Sequence, residues 1–235
     1  MLKVCGFMFS FLPAVFSVHA GLIAHWNFDD GTCSDVVGGL HGTPNGNVSF
    51  VDSGHPTLGK AVAFGTVKDS DYIALGDLSS LGVGSGSFTL SLRMKHAAQS
   101  LSGEVSPLFW DSQTGSAGKG YDGIKIALRK GSDGNNAGRV FASVGGPDGK
   151  VLLKGRRVDD DEWHLVVIRY DSDTDELMYF EDGLHVYSRD AFGVYVLNRS
   201  ESGKKTLLGN GFGGMIDDVR VYDTALSDEE LAGLL

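Results

Sequence analysis

The sequence predicts an all-β fold, an antiparallel two-sheet β-sandwich with a short C-terminal helix, and three observations predict it. Thirty-four of the 235 residues are glycine, about twice the ~7% of an average chain, which favours many turns over long helices. The 30 acids divide into 23 Asp and 7 Glu, and Asp prefers turns and caps where Glu is the better helix former. Apolar residues recur in short runs, several with period two, between clusters of Gly, Asp and Ser. A hydrophobic fraction of 42% supplies a sizeable core and excludes wholesale disorder.

Residues 1 to 20 come first and stand apart. One positive charge at Lys3, an apolar run over residues 4 to 18 and the close Val18-His19-Ala20 read as a secretory signal peptide cleaved near Ala20. The run is broken by Pro13 and falls short of the ~20 residues a bilayer span needs, so no membrane insertion is expected. Residues 21 to 235 are then one secreted, extracellular or periplasmic domain, expected to be a monomer. They hold 19 basic and 30 acidic residues, and a net −11 repels phosphate backbones, which excludes nucleic acid. Cys33 alone remains after cleavage, so an intrachain disulfide is impossible. With no adjacent base in Gly31-Thr32-Cys33-Ser34, it reads as an unreactive cysteine.

The strands follow in order. Residues 22–28, 48–51, 61–64 and 72–75 are short apolar runs bounded by turn residues. Ser87 to Lys95 alternates without a break, Phe88, Leu90, Leu92 and Met94 against Ser87, Thr89, Ser91, Arg93 and Lys95, which predicts a half-buried strand. Further runs lie at 124–130, 139–144, 163–170, 177–181, 206–208 and 214–222. Trp163 to Ile168 is apolar on both faces, which predicts a central strand packed on each side; Trp163 and Trp26 are both expected in the core. Asp182-Gly183 between 176–181 and 184–188 is the two-residue type I′ hairpin signal. Ser227-Asp228-Glu229-Glu230 is a capping box opening the terminal helix, with Leu231 and Leu234 on its buried face.

Trp26-Asn27-Phe28-Asp29-Asp30, Glu162-Trp163-His164-Leu165 through Tyr179-Phe180-Glu181-Asp182-Gly183, and Gly214-Met215-Ile216-Asp217-Asp218-Val219-Arg220-Val221-Tyr222 followed by Ala225-Leu226-Ser227 form an ordered set. With Gly59 to Phe64, Asp71-Tyr72-Ile73 and Ser87 to Leu90, they resemble the LamG-like (laminin-G-like) jelly-roll domains of the concanavalin A-like lectin and glucanase superfamily. The resemblance covers residues 21 to 235 and implies two curved sheets with the first and last strands adjacent. It leaves the activity open, because this fold hosts many functions.

The resemblance also implies one structural calcium ion, Ca2+, where the chain ends meet, and Asp29 and Asp217 are placed there, with Gly31 letting the backbone approach and Asp30 as a weaker ligand. Calcium needs six to eight oxygens, so carbonyls and water would complete the set. Independently, an Asp inside the apolar run at 217 needs compensation; the alternatives to metal are an edge-exposed side chain or a salt bridge to Arg220. Asp35 and Asp218 are weaker candidates. Asp171 to Asp175 copies half of a calcium loop, but Glu176 replaces the needed Gly, so it reads as a solvated turn. Asp159 to Glu162 reads as an exposed loop, and His164 as a packed strand residue.

Glucanases of the superfamily use Glu-x-Asp-x-x-Glu on one strand, and no Glu here begins that pattern. No Gly-x-Ser-x-Gly, His-Glu-x-x-His or phosphate loop occurs. The expected function is therefore a secreted non-catalytic binding module, calcium-stabilised, recognising a glycan or an extracellular protein. The alternatives are a polysaccharide hydrolase or lyase with carboxylates from different strands, and a structural or adhesive surface protein. Trp110, Tyr121 and Asp122 are the candidate sugar site, since a sugar stacks an apolar face on an aromatic while acids accept its hydroxyls; the alternative is Trp110 packed in the core. Asn47 and Asn198 open Asn-x-Ser sequons.

Overall fold

The computed structural model describes residues 21–65, 70–78, 83, 86–97, 105–111, 123–129, 134–146, 149–191 and 206–235. The signal-peptide reading, Tyr121, Asp122 and Asn198 lie outside the described residues. In chain order the strands are β1 (Leu22–Trp26), β2 (Thr43–Asn45), β3 (Val48–Asp52), β4 (Lys60–Phe64), β5 (Tyr72–Ala74), β6 (Phe88–Ala97), β7 (Val105–Asp111), β8 (Gly123–Arg129), β9 (Arg139–Gly146), β10 (Gly149–Arg157), β11 (Asp160–Asp171), β12 (Glu176–Glu181), β13 (Leu184–Asp190), β14 (Thr206–Leu208) and β15 (Gly214–Tyr222), followed by the helix α1 (Asp228–Ala232).

Two antiparallel sheets stack face to face. One runs β13-β12-β11-β6-β15-β4-β3, with β1 also paired to β15; the other runs β10-β9-β8-β7-β14-β5-β2. The alternating apolar residues of β6 and β11, such as Leu92 and Ile168, meet Phe109, Ile126 and Leu153 of the second sheet in one core. Each such side chain contributes roughly 1.5–3 kcal/mol by leaving water. The first and last strands are neighbours, as Trp26 pairs with Val219 and Leu22 with Tyr222.

The central placement of residues 163–168 holds, and its reason is visible on both faces. Val166 and Ile168 enter the main core, whereas Leu165 and Val167 pack with Phe180, Tyr222, Leu226, Leu231 and Leu234 beneath the C-terminal segment. That segment also corrects the half-buried reading of β6. Thr89, Ser91 and Arg93 on its polar face are buried, because the chain end supplies the partners water would otherwise supply. Thr89 Oγ1 donates to the Thr224 carbonyl at 2.8 Å and accepts from Leu226 N at 3.0 Å. Arg93 Nη2 donates to the carbonyls of Leu234 and Leu235 at 2.6 and 2.9 Å. Alternation reports which residues can hydrogen-bond and not whether the partner is water or backbone.

The hairpin and the helix cap form as expected. Asp182 and Gly183 have φ of 50° and 74°, the two positive values a type I′ turn requires. Ser227 accepts from Glu230 N while Glu230 reaches back to the Ser227 backbone. Trp26 is fully buried, with Nε1 donating to the Leu40 carbonyl at 2.9 Å. Trp163 is only half-buried, since its indole N–H reaches across to the Ser53 carbonyl at 3.1 Å rather than into the core. The acidic run at 159–162 is not a simple loop: β11 begins at Asp160, and a bulge between Asp160 and Trp163 puts Asp161 at φ 66°. Cys33 is buried and its thiol is pushed up to about 11, chiefly by burial, which keeps it protonated and unreactive.

Candidate functional site

Two places gather functional side chains. The first follows from how β15 is paired. Its edge is shared by two strands in line: β4 covers Gly214 to Ile216 and β1 covers Val219 to Tyr222. Asp217 and Asp218 fall in the gap, where β1 leaves toward Asn27 and Asp29 and where Gly59 leads into β4. On the opposite edge the ladder to β6 breaks between Asp217 and Arg220, and Asp218 takes φ 51°, a bulge that re-aims two successive acids. The result is a cleft of about 400 Å³ walled by His25, Asp29, Arg93, Asp217, Asp218 and Arg220, among others. Gly59 belongs to its wall because a Cβ there would sit 2.0 Å from Asp29 Oδ1.

The two acids of the bulge differ sharply. Asp218 is tied to His25 Nε2 at 2.8 Å and Arg220 Nη2 at 2.8 Å, with Arg93 Nε at 3.8 Å. Burial opposes its ionisation, but the His25 bond and the two guanidinium groups hold it below the usual carboxylate range. Asp217 is 2% exposed, and its Oδ1 accepts a hydrogen bond from Asp218 N at 2.7 Å. Burial first, then the charges of Asp218 and Asp29, push it up to about 7. It is therefore neither edge-exposed nor paired to Arg220, whose guanidinium goes to the neighbouring acid. Asp29 shares the cleft and accepts from Lys60 N at 3.1 Å.

The other sequence-predicted ligands sit elsewhere. Asp30 is exposed and its Oδ1 accepts from Thr32 N and Oγ1 at 2.8 and 2.7 Å. Gly31, at φ 73°, turns the same loop, and neither lines the cleft. Asp35 is occupied by the backbone N–H groups of His25, Val37, Gly38 and Leu40. Among the described residues no group of three or more His, Cys, Asp or Glu side chains is arranged to hold a metal ion. Arg93 and His25 were not singled out as site residues by sequence, and Arg220 was named only as a salt-bridge partner for Asp217; a guanidinium at a polar position of a central strand is the signal that points to Arg93.

The second place is the outer face of the seven-stranded sheet. In β7, Phe109 enters the core and Trp110, one residue on, lies half-buried on the opposite face. Trp110 pairs across the sheet with Leu207 and Lys125, and Lys125 pairs with Ser143, which pairs with Leu152. The ammonium of Lys125 lies 4.5 Å from the centre of the Trp110 ring, a cation–π contact.

The family model described as the concanavalin A-like lectin/glucanases superfamily matches residues 65–232. No curated protein sequence matches. Among solved structures, the binding domain of the Paraclostridial mosquitocidal protein 1 superposes with a TM-score of 0.69 at 12% identity, over 91% of this chain and 51% of that one. The chain thus spans about half the length of that domain. Domain 4 of AbnA, a GH43 extracellular arabinanase from Geobacillus stearothermophilus solved with arabinotriose, gives 0.62 at 21% identity over 92% and 98% of the two chains. The CBM40 of the Ruminococcus gnavus IT-sialidase gives 0.55 at 19% identity over 74% and 95%, and it has also been solved bound to α2,3 sialyllactose.

Proposed function

Because the chain belongs to the concanavalin A-like lectin/glucanase superfamily, we propose that it is a secreted, non-catalytic carbohydrate-binding module. The observation that carries this reading is the outer sheet face around Trp110: an aromatic ring half open to solvent beside an ammonium donor. A sugar ring packs its C–H face on such a surface and spends its hydroxyls on neighbouring polar groups. Support also comes from similar structures described as a binding domain and a CBM40 and from a domain crystallised with arabinotriose. The three successive strands on one side of β7, β8 to β10, contain no Asp or Glu to serve as acid and nucleophile in glycoside hydrolysis. A glycan array with the wild type and Trp110→Ala tests the reading. Binding to at least one glycan, lost or weakened about tenfold in the variant, is expected; equal binding by both removes Trp110 from the site.

Calcium belongs to the same proposal as a stabiliser. The buried, underpartnered Asp217 and the facing Asp29 fit a hard cation that takes the rest of its oxygens from carbonyls and water. Asp218 does not fit as a ligand, since His25 and Arg220 already neutralise it. Such an ion would join residues 188 positions apart in the chain (217 minus 29) and bind only the folded state. At a hundredfold excess over Kd the linkage is worth about 2.7 kcal/mol.

A further inference from the structure

We propose that the outer face of the seven-stranded sheet selects acidic glycans, sugars that carry a carboxylate, with Lys125 and the cations near it meeting that charge beside Trp110. This rests on the carbohydrate-binding reading above and names the class of sugar. The observation behind it is a segregation of charge. Strands β8, β9 and β10 together carry seven Lys or Arg and no Asp or Glu, in a chain where acids outnumber bases 30 to 20. Arg139 donates to the carbonyls of Asn135 and Gly155, Arg156 binds Glu181 and Arg157 binds Asp159.

The other four occupy one face. Ile124, Ile126 and Leu128 of β8 and Val151 and Leu153 of β10 enter the core, so Lys125, Arg129, Lys150 and Lys154 alternate to the outside. Arg129 lies 4.6 Å from the centre of the Phe141 ring, which repeats the pairing of Lys125 with Trp110. Lys150 and Lys154 are exposed. Lys125 is half-buried, and burial followed by the like charges of Arg129 and Lys150 lowers its pKa. A cation held against its own desolvation and two like charges is relieved by an incoming anion, which makes a charge-assisted bond there stronger than one to a solvated lysine. The aromatic ring under that ammonium favours a sugar over a bare anion. The net charge of the chain opposes long polyphosphates, so the attraction is local to this face.

The test measures retention on three probes: polygalacturonate, polysialic acid and fully methyl-esterified polygalacturonate, which keeps the sugar backbone and removes the charge. Single-stranded DNA serves as a polyanion lacking the carboxylate. At least one of the two acidic polymers is expected to bind roughly tenfold or more tightly than the ester and than DNA, with affinity falling as salt rises. Lys125→Met should weaken that binding about tenfold, and Lys154→Met, at an exposed position with less risk to folding, about threefold. Which acidic polymer is retained tells uronate from sialate. Binding of the ester as tight as that of the acid, binding of DNA equal to both, or affinities unmoved in both variants overturns the proposal. If a neutral glycan is bound in a Trp110-dependent way while both acidic polymers fail, the carbohydrate-binding reading stands and this one falls; if no glycan of either kind binds, both fall.

Discussion

A proton and a cation compete for the carboxylate of Asp217. Its folded pKa of about 7 lies above the ~3.9 of an unfolded chain, so the folded state holds the proton more tightly. Its contribution to stability is therefore fully present below about pH 4 and is lost as pH rises through 7. A bound calcium ion reverses the sense, because it needs the deprotonated form. Calcium is expected to raise the Tm more at pH 8 than at pH 5.5, by about 2–4 °C for each kcal/mol of linkage. Asp217→Asn should fold and show no calcium response at either pH. A calcium shift of equal size at the two pH values, measured on protein first stripped with chelator, would count against Asp217 as a ligand. His164 shows the opposite chemistry: it donates through Nδ1 to Asp182 at 3.0 Å and through Nε2 to Asp160 at 2.9 Å. The Asp182 bond above all raises it to about 9, from an unfolded ~6.5. The stability it contributes is complete below about pH 6.5 and is lost as pH climbs through 9. An imidazole titration by NMR should give a midpoint near 9 in the wild type and a lower one in Asp182→Asn; a wild-type midpoint near 6.5 would dismiss the charged triad.

Among the elements, the stitch between the sheets is the arrangement no pattern announces. Glu181 of β12, fully buried, accepts from the Arg156 backbone N of β10 at 3.0 and 2.8 Å and from Tyr179 Oη at 2.6 Å. Glu181→Leu leaves that N–H and hydroxyl without partners and should destabilise by about 2–3 kcal/mol, while Glu181→Gln should lose less; urea denaturation with an unchanged m-value is the measurement. The reason β12 was legible and its partner β10 was not is instructive. Strand β12 has the Asp182-Gly183 turn to fix its register, whereas β10, Gly-Lys-Val-Leu-Leu-Lys-Gly-Arg-Arg, mixes period two with basic residues and ends without a turn signal. Alternation along β6 separates its two faces correctly and misjudges their burial, because Thr89 and Arg93 are satisfied by a segment more than 130 residues away. The cleft was half legible for the same reason. Asp29 and Asp217 stand out as acids in apolar surroundings, but their separation from Asp218, Arg220 and His25 depends on a bulge and on two strands sharing one edge. Both are properties of pairing and not of local sequence.

At the scale of the molecule, the last strand is an interior one. β15 lies between β6 on one side and β4 with β1 on the other, so the eight-stranded sheet has no continuous ladder without it. A ribosome delivers residues in chain order, and a nascent chain that stops before residue 214 holds the eight-stranded sheet in separate pieces with open edges. Closure of this sheet must then wait for residues 214–222, a slow and non-local step. A nested series of C-terminal truncations should be digested rapidly by protease up to an end point near residue 213 and resist it once residues 214–235 are present. Gradual protection across the series would instead mean that the hairpins fold as they emerge. An interior strand drawn from late in the domain acts as a latch: it leaves the sheet divided until residues 214–222 arrive, then joins its pieces in one step.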